Sequence, residues 1–122
     1  MKVTKVEDFE IWKEAIELVV LIYKIIRNSN LNKDFVLSDQ IKKSVISIPS
    51  NITEGFERNN NKEFKHFLNI AKGSVGELKT QIYIALRLEF INKHQFDELN
   101  NKIIRLSSKI SNLITYLIKK QK

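Results

Sequence analysis

The chain has 122 residues, a formal net charge of +7 at pH 7, 43% hydrophobic residues, three glycines, one proline and no cysteine. That is the length of about one domain, able to bury roughly two-thirds of the surface its unfolded form exposes, and a composition suited to helices joined by short loops. The lack of cysteine excludes a disulfide framework, a zinc ribbon and a thiol nucleophile, and the opening Met-Lys-Val-Thr-Lys-Val-Glu-Asp lacks the apolar run of a secretory signal, so a cytoplasmic protein is expected.

The first helix is predicted from about Glu7 to Arg27. Glu7, Asp8 and Glu10 place negative charge at the positive end of its dipole, and Asn28-Ser29-Asn30 ends it. From Leu18 to Ile26 the chain is apolar almost all round, more than one core-facing stripe requires. The run is too short to cross a bilayer and Lys24 interrupts it, so no membrane role is expected. A helix covered on two sides, by its own bundle and by a neighbouring subunit, accounts for it better.

The second helix is predicted from Ser38, as N-cap, to Gly55, as stop. Ile41, Val45, Ile48 and Ile52 follow one another at steps of four, three and four, which puts them on one face. Pro49 sits inside that spacing. It has no N–H and its ring clashes with the carbonyl of Val45, so the helix is expected to continue through it with a kink, at a cost of about 3 kcal/mol.

Asn59-Asn60-Asn61 reads as a polar corner, one of whose members caps a third helix from about Lys62 to Ile91. Phe64, Phe67, Ala71, Val75, Leu78, Ile82, Ala85 and Leu86 make its inner face. Gly73 and Gly76 each cost up to about 1 kcal/mol inside a helix, so a close helix crossing is predicted there. A phosphate-cradling loop would need a preceding strand and a following Gly-Lys-Ser/Thr, and the sequence has neither.

After a turn at Asn92 to His94, the fourth helix is predicted from Gln95 to Lys119. Phe96, Leu99, Ile103, Leu106, Ile110, Leu113 and Leu117 alternate steps of three and four, a heptad pattern for packing along a bundle. The expected fold is a single all-α domain, an antiparallel up-down four-helix bundle with its second helix kinked at Pro49.

The charge is unevenly spread. Residues 1 to 27 carry five basic and five acidic side chains, whereas residues 92 to 122 carry seven basic and two acidic. Lys102, Arg105 and Lys109 share the heptad rhythm one position before the core residues and line its flank; Asn112, Tyr116 and Lys119 continue the line. Phosphates need only positive charge at reachable spacing, and Tyr116 could stack on an unpaired base. Lys102, Arg105, Lys109 and Lys119, with Lys42 and Lys43 of the second helix, are therefore the candidate nucleic-acid-binding residues. The alternative is that the flank is simply a solvated helix face.

Three further groupings carry weaker chemistry. Glu63-x-x-His66 has the spacing by which di-iron bundles hold metal, but the second copy such a site needs is missing. Arg87-x6-His94 resembles the loose signature of the small helical HEPN ribonucleases, in which the His acts as general base and the Arg steadies a phosphate. Glu54 and Glu77, read as buried carboxylates, suit hydrogen bonding at helix ends or between helices better than catalysis.

Gln40-Ile41, Ser47-Ile48-Pro49, Asn51-Ile52 and Glu54-Gly55, followed by Phe64, Phe67-Leu68, Ala71, Gly73-Ser74 and Glu77-Leu78, resemble the bacterial four-helix bundle proteins encoded in intervening sequences of large-subunit ribosomal RNA genes. Phe9, Trp12 and Tyr23 fall where that family has its first-helix aromatics, so the resemblance covers nearly the whole chain. One branch is the accessory variability protein of diversity-generating retroelements. The resemblance implies a homopentameric, basic, nucleic-acid-binding partner of a reverse transcriptase. The expected protein performs no chemistry itself, needs no cofactor or metal, and binds RNA or DNA with little sequence preference, because lysines contact phosphates as point charges. Two departures stand out: Lys42-Lys43-Ser44 replaces a frequent Arg-Arg or Arg-Ala, which keeps charge without bidentate geometry, and Thr53 replaces a usual Ala. The other expectations are a HEPN-like ribonuclease and a purely structural interaction protein.

Overall fold

The structure, a computed structural model, describes residues 3–120. Four helices account for most of them: α1 (Glu10–Arg27), α2 (Phe35–Glu57), α3 (Asn61–Arg87) and α4 (Lys93–Lys120). Single 3-10 turns at Val6–Asp8 and Asn30–Lys33 precede α1 and α2, and no strand is formed among the described residues. The molecule is an all-α bundle. Trp12 donates to Thr53 Oγ1 at 3.0 Å while the Lys42 ammonium lies over the Tyr23 ring, so positions rise along α1 as they fall along α2. The same opposite order relates α2 to α3, through Arg58–Glu63 and Ser47–Ser74, and α1 to α4, through Glu10–Lys109 and Glu14–Arg105.

Helix ends differ from the sequence expectation wherever a side chain or a turn satisfies the open backbone groups better. α1 starts at Glu10 rather than near Glu7, which lies in the preceding 3-10 turn, and Phe9 between them is buried against Phe56 and Phe64, with edge-to-face centroid distances of 5.3 and 5.6 Å. Asp34 rather than Ser38 caps α2, its carboxylate accepting from the Leu37 N–H at 2.9 Å, and Ser38 is buried one turn inside. Asn60 caps α3, accepting from the Glu63 N–H at 3.1 Å.

The far end of α3 comes at Arg87, four residues before Ile91. Glu89 takes a left-handed φ of 63°, the Phe90 N–H reaches back to the Ala85 carbonyl and the Glu89 N–H to Leu86, which closes the helix as a Schellman turn without glycine. Asn92 and Gln95 then form a reciprocal capping box, Gln95 N–H to Asn92 Oδ1 at 2.8 Å and Asn92 N–H to Gln95 Oε1 at 2.9 Å. This box starts α4 at Lys93, two residues before the predicted Gln95.

α2 passes unbroken through Pro49, which is buried. Gly55 does not end the helix. It lies within it and is buried under α3, where a Cβ would stand 2.7 Å from Phe67 Cβ and 3.2 Å from the Phe64 carbonyl oxygen. The close crossing is therefore made at Gly55, not at Gly73 and Gly76, each of which has open space where a side chain would go. The core follows the periodicity, with small rotations. Leu68 and Ser74 of α3 and Ile114 of α4 are buried, whereas Phe67, Leu86 and Leu113, predicted inward, are half-buried. Ser74 is tolerated inside because its hydroxyl meets Ser47 Oγ at 2.8 Å, and Asn51 Nδ2 donates to the same Ser47 oxygen at 2.9 Å.

Candidate nucleic-acid interface

Glu10 and Glu14 lie one turn apart on α1, as Arg105 and Lys109 do on α4, and the opposite running of the two helices brings these turns together. Lys109 Nζ is 3.1 Å from Glu10 Oε2 and also hydrogen-bonds Glu14 Oε2; Arg105 Nε is 3.5 Å from Glu14 Oε1. Lys102 lines a shallow groove with Glu14, Glu17 and Arg105. The predicted basic flank is thus one edge of a mixed-charge seam. Two of its three cations face carboxylates, and a phosphate reaching Lys109 must displace two of them.

The electrostatics follow from these contacts. Hydrogen bonds donated to Glu14 first, and then to Glu10, hold the Lys109 ammonium above its ordinary range, and the bond from Lys109 holds the Glu10 carboxyl below its own. The remaining candidates are dispersed. Lys119 is exposed near the end of α4, Lys43 is exposed on α2, and half-buried Lys42 sits over the Tyr23 ring, 5.3 Å from its centroid. Nothing in the local spacing foretold the seam, because it depends on which helices are neighbours.

The other groupings resolve simply. Arg87 turns back along its own helix, donating to Tyr83 Oη at 3.2 Å, while His94 is exposed in the first turn of α4. A cleft of about 840 Å3 at this end is bordered by Arg27, Lys33, Lys93 and Gln95, and neither Arg87 nor His94 lines it. His66 is exposed with its ring edge-on to Phe67, and Glu63 faces Arg58 at 3.8 Å. No His, Cys, Asp and Glu cluster among the described residues is placed to hold a metal ion. Glu54 and Glu77 are exposed rather than buried, Glu54 pairing with Arg58 at 3.1 Å. No helix among the described residues is long and apolar enough to cross a membrane.

The model of the 23S rRNA-intervening sequence protein family matches residues 7–112. Among solved structures, the chain is similar to a protein of unknown function from the S23 ribosomal protein family of Bacteroides thetaiotaomicron. The two share 29% identity and a TM-score of 0.77 over 85% of this chain and 97% of that one. No curated protein matches the chain.

Proposed function

Because the chain belongs to the 23S rRNA-intervening sequence protein family, we propose that it is a non-enzymatic, nucleic-acid-binding protein that assembles as a homopentamer and holds RNA or DNA by its phosphates. Charge carries this reading. The chain is +7, and most of the lysines and arginines among its described residues are exposed, so much of the cationic surface faces solvent. Five such chains give about +35 in one particle, enough for long-range attraction that falls steeply with salt.

Self-association is supported by apolar surface that the single chain leaves open. Val20 of α1 is 47% exposed, and Phe35 and Val36, where α2 begins, are 76% and 77% exposed. The same reading names a reverse transcriptase as protein partner, to be checked by co-purification with one encoded beside it. The deciding experiment pairs light scattering with a fluorescence-anisotropy titration of labelled RNA and DNA at low salt. A pentamer that binds both is the expected result; a clean monomer at micromolar concentration overturns the assembly, and absent binding overturns the function.

A further inference from the structure

Lys65, Lys72 and Lys79 of α3 are spaced seven residues apart, two helical turns each, so they lie along one line of the helix. Lys62 stands three before the first, Tyr83 four after the last and Arg87 four beyond that, which extends the line into a ridge from end to end of α3. Lys62, Lys72, Lys79, Tyr83 and Arg87 are exposed. No carboxylate falls on this ridge. The acidic residues of α3, Glu63 and Glu77, lie fourteen apart on a different line, and Glu63 shows by its contact with Arg58 that this line faces α2.

The ridge borders α4, since Tyr83 meets Phe96 with ring centroids 6.3 Å apart. The α4 positions that follow Phe96 at helical spacing, Asn100, Ser107 and Ser111, are half-buried and uncharged, and the neighbouring acid, Asp97, is paired within α4 with Lys93 at 2.6 Å. Gly76 lies on the ridge between Lys72 and Lys79, and Gly73 stands beside it. Both glycines are exposed and meet nothing within 4 Å, so packing gives no reason for residues that each cost about 1 kcal/mol in a helix interior. What two bare positions between lysines do permit is close approach of another molecule's backbone to the helix.

We propose that this ridge of α3, centred on Lys72, Gly73, Gly76 and Lys79, is the face that receives the phosphate backbone of nucleic acid. The inference rests on the nucleic-acid-binding reading above and locates its site away from the seam at Lys102, Arg105 and Lys109. At 1.5 Å per residue, Lys72 and Lys79 stand about 10 Å apart and the whole ridge spans about 37 Å, close to one turn of a duplex. The partner's charge is fixed by the row of cations. A membrane surface fits poorly, because Tyr83 is the one large apolar side chain on the ridge and its ring is held between Phe96 and Arg87. Lysines contact phosphates as point charges, so the face selects backbone, not sequence.

The test titrates the wild type, Lys72→Gln/Lys79→Gln, Gly73→Ala/Gly76→Ala and Lys102→Gln against salt, using a 20-base-pair duplex RNA, a 20-base-pair duplex DNA and a single strand of equal length. The lysine pair is expected to flatten the logarithmic salt slope on duplex DNA by about 1.8 and to weaken binding about tenfold per lost contact at 50 mM salt. The alanine pair, which keeps every charge and favours the helix, is expected to weaken binding with the slope unchanged; full binding by it overturns the close-approach role of the glycines. Loss on duplexes alone identifies a duplex as the ligand, and equal loss on the single strand identifies the backbone as such. Wild-type binding that survives intact in the lysine pair, or that Lys102→Gln alone abolishes, overturns the α3 site while leaving the functional reading in place. A wild type that binds none of the three probes overturns both.

Discussion

Gly55 of α2 lies so close to Phe67 of α3 that a Cβ on the glycine would stand 2.7 Å from the Cβ of Phe67, with the Phe64 carbonyl oxygen at 3.2 Å. Neither neighbour is the far end of a flexible side chain, so the two helices must separate to admit even a methyl group. The crossing also holds the edge-to-face rings of Phe9, Phe56 and Phe64 at that end of the bundle.

Gly55→Ala is therefore expected to destabilise the fold by about 1–3 kcal/mol, the overpacking cost outweighing the better helix propensity of alanine. Gly73→Ala and Gly76→Ala have open space and should each stabilise by about 0.5–1 kcal/mol. Urea unfolding followed by circular dichroism reads all three. A stabilised Gly55→Ala protein would show that the helices do not cross as closely as described.

The pH dependence of the α1–α4 seam follows from Glu10 and Lys109. The bond from Lys109 holds the folded Glu10 carboxyl below its ordinary value of 4.5, so its contribution is present above that pH and is lost as pH falls through the lower, folded value. The carboxylates of Glu14 and Glu10 hold the Lys109 ammonium above its ordinary value of 10.5, so its contribution is present below that pH and is lost as pH rises through the higher, folded value. Lys109→Met should accordingly differ most from the parent between these limits, with the difference shrinking on acidification below about 4.5. A difference that is constant from pH 3 to pH 8 would mean that the lysine acts through packing of its aliphatic stem.

Arg87 and His94 provide the check on catalysis. With the guanidinium held on Tyr83 and the imidazole in the next helix, neither lining the cleft at that end, incubation of single-stranded RNA with the protein and a chelator should leave the RNA intact. Cleavage abolished by His94→Ala would instead establish a metal-free ribonuclease.

Local periodicity determined the number of helices and which side of each is buried, because a 3.6-residue repeat of apolar side chains has one face to hide whatever packs against it. Ile41, Val45, Ile48 and Ile52, and Leu99, Ile103, Leu106 and Ile110, are buried as their spacing required. Helix ends were less legible: Asp34 and Ser38 are both good caps in sequence, and the choice fell to the one outside the buried stretch. The meaning of a glycine or a charge depends on what stands opposite, and only the tertiary structure decided that. Gly55 faces the backbone of α3 while Gly73 and Gly76 face solvent, and the basic flank of α4 meets the acids of α1, which shifts attention to the exposed Lys72 and Lys79 of α3. Partners across a bundle lie far apart in the chain, Glu10 and Lys109 by 99 residues, and no local pattern carries that information.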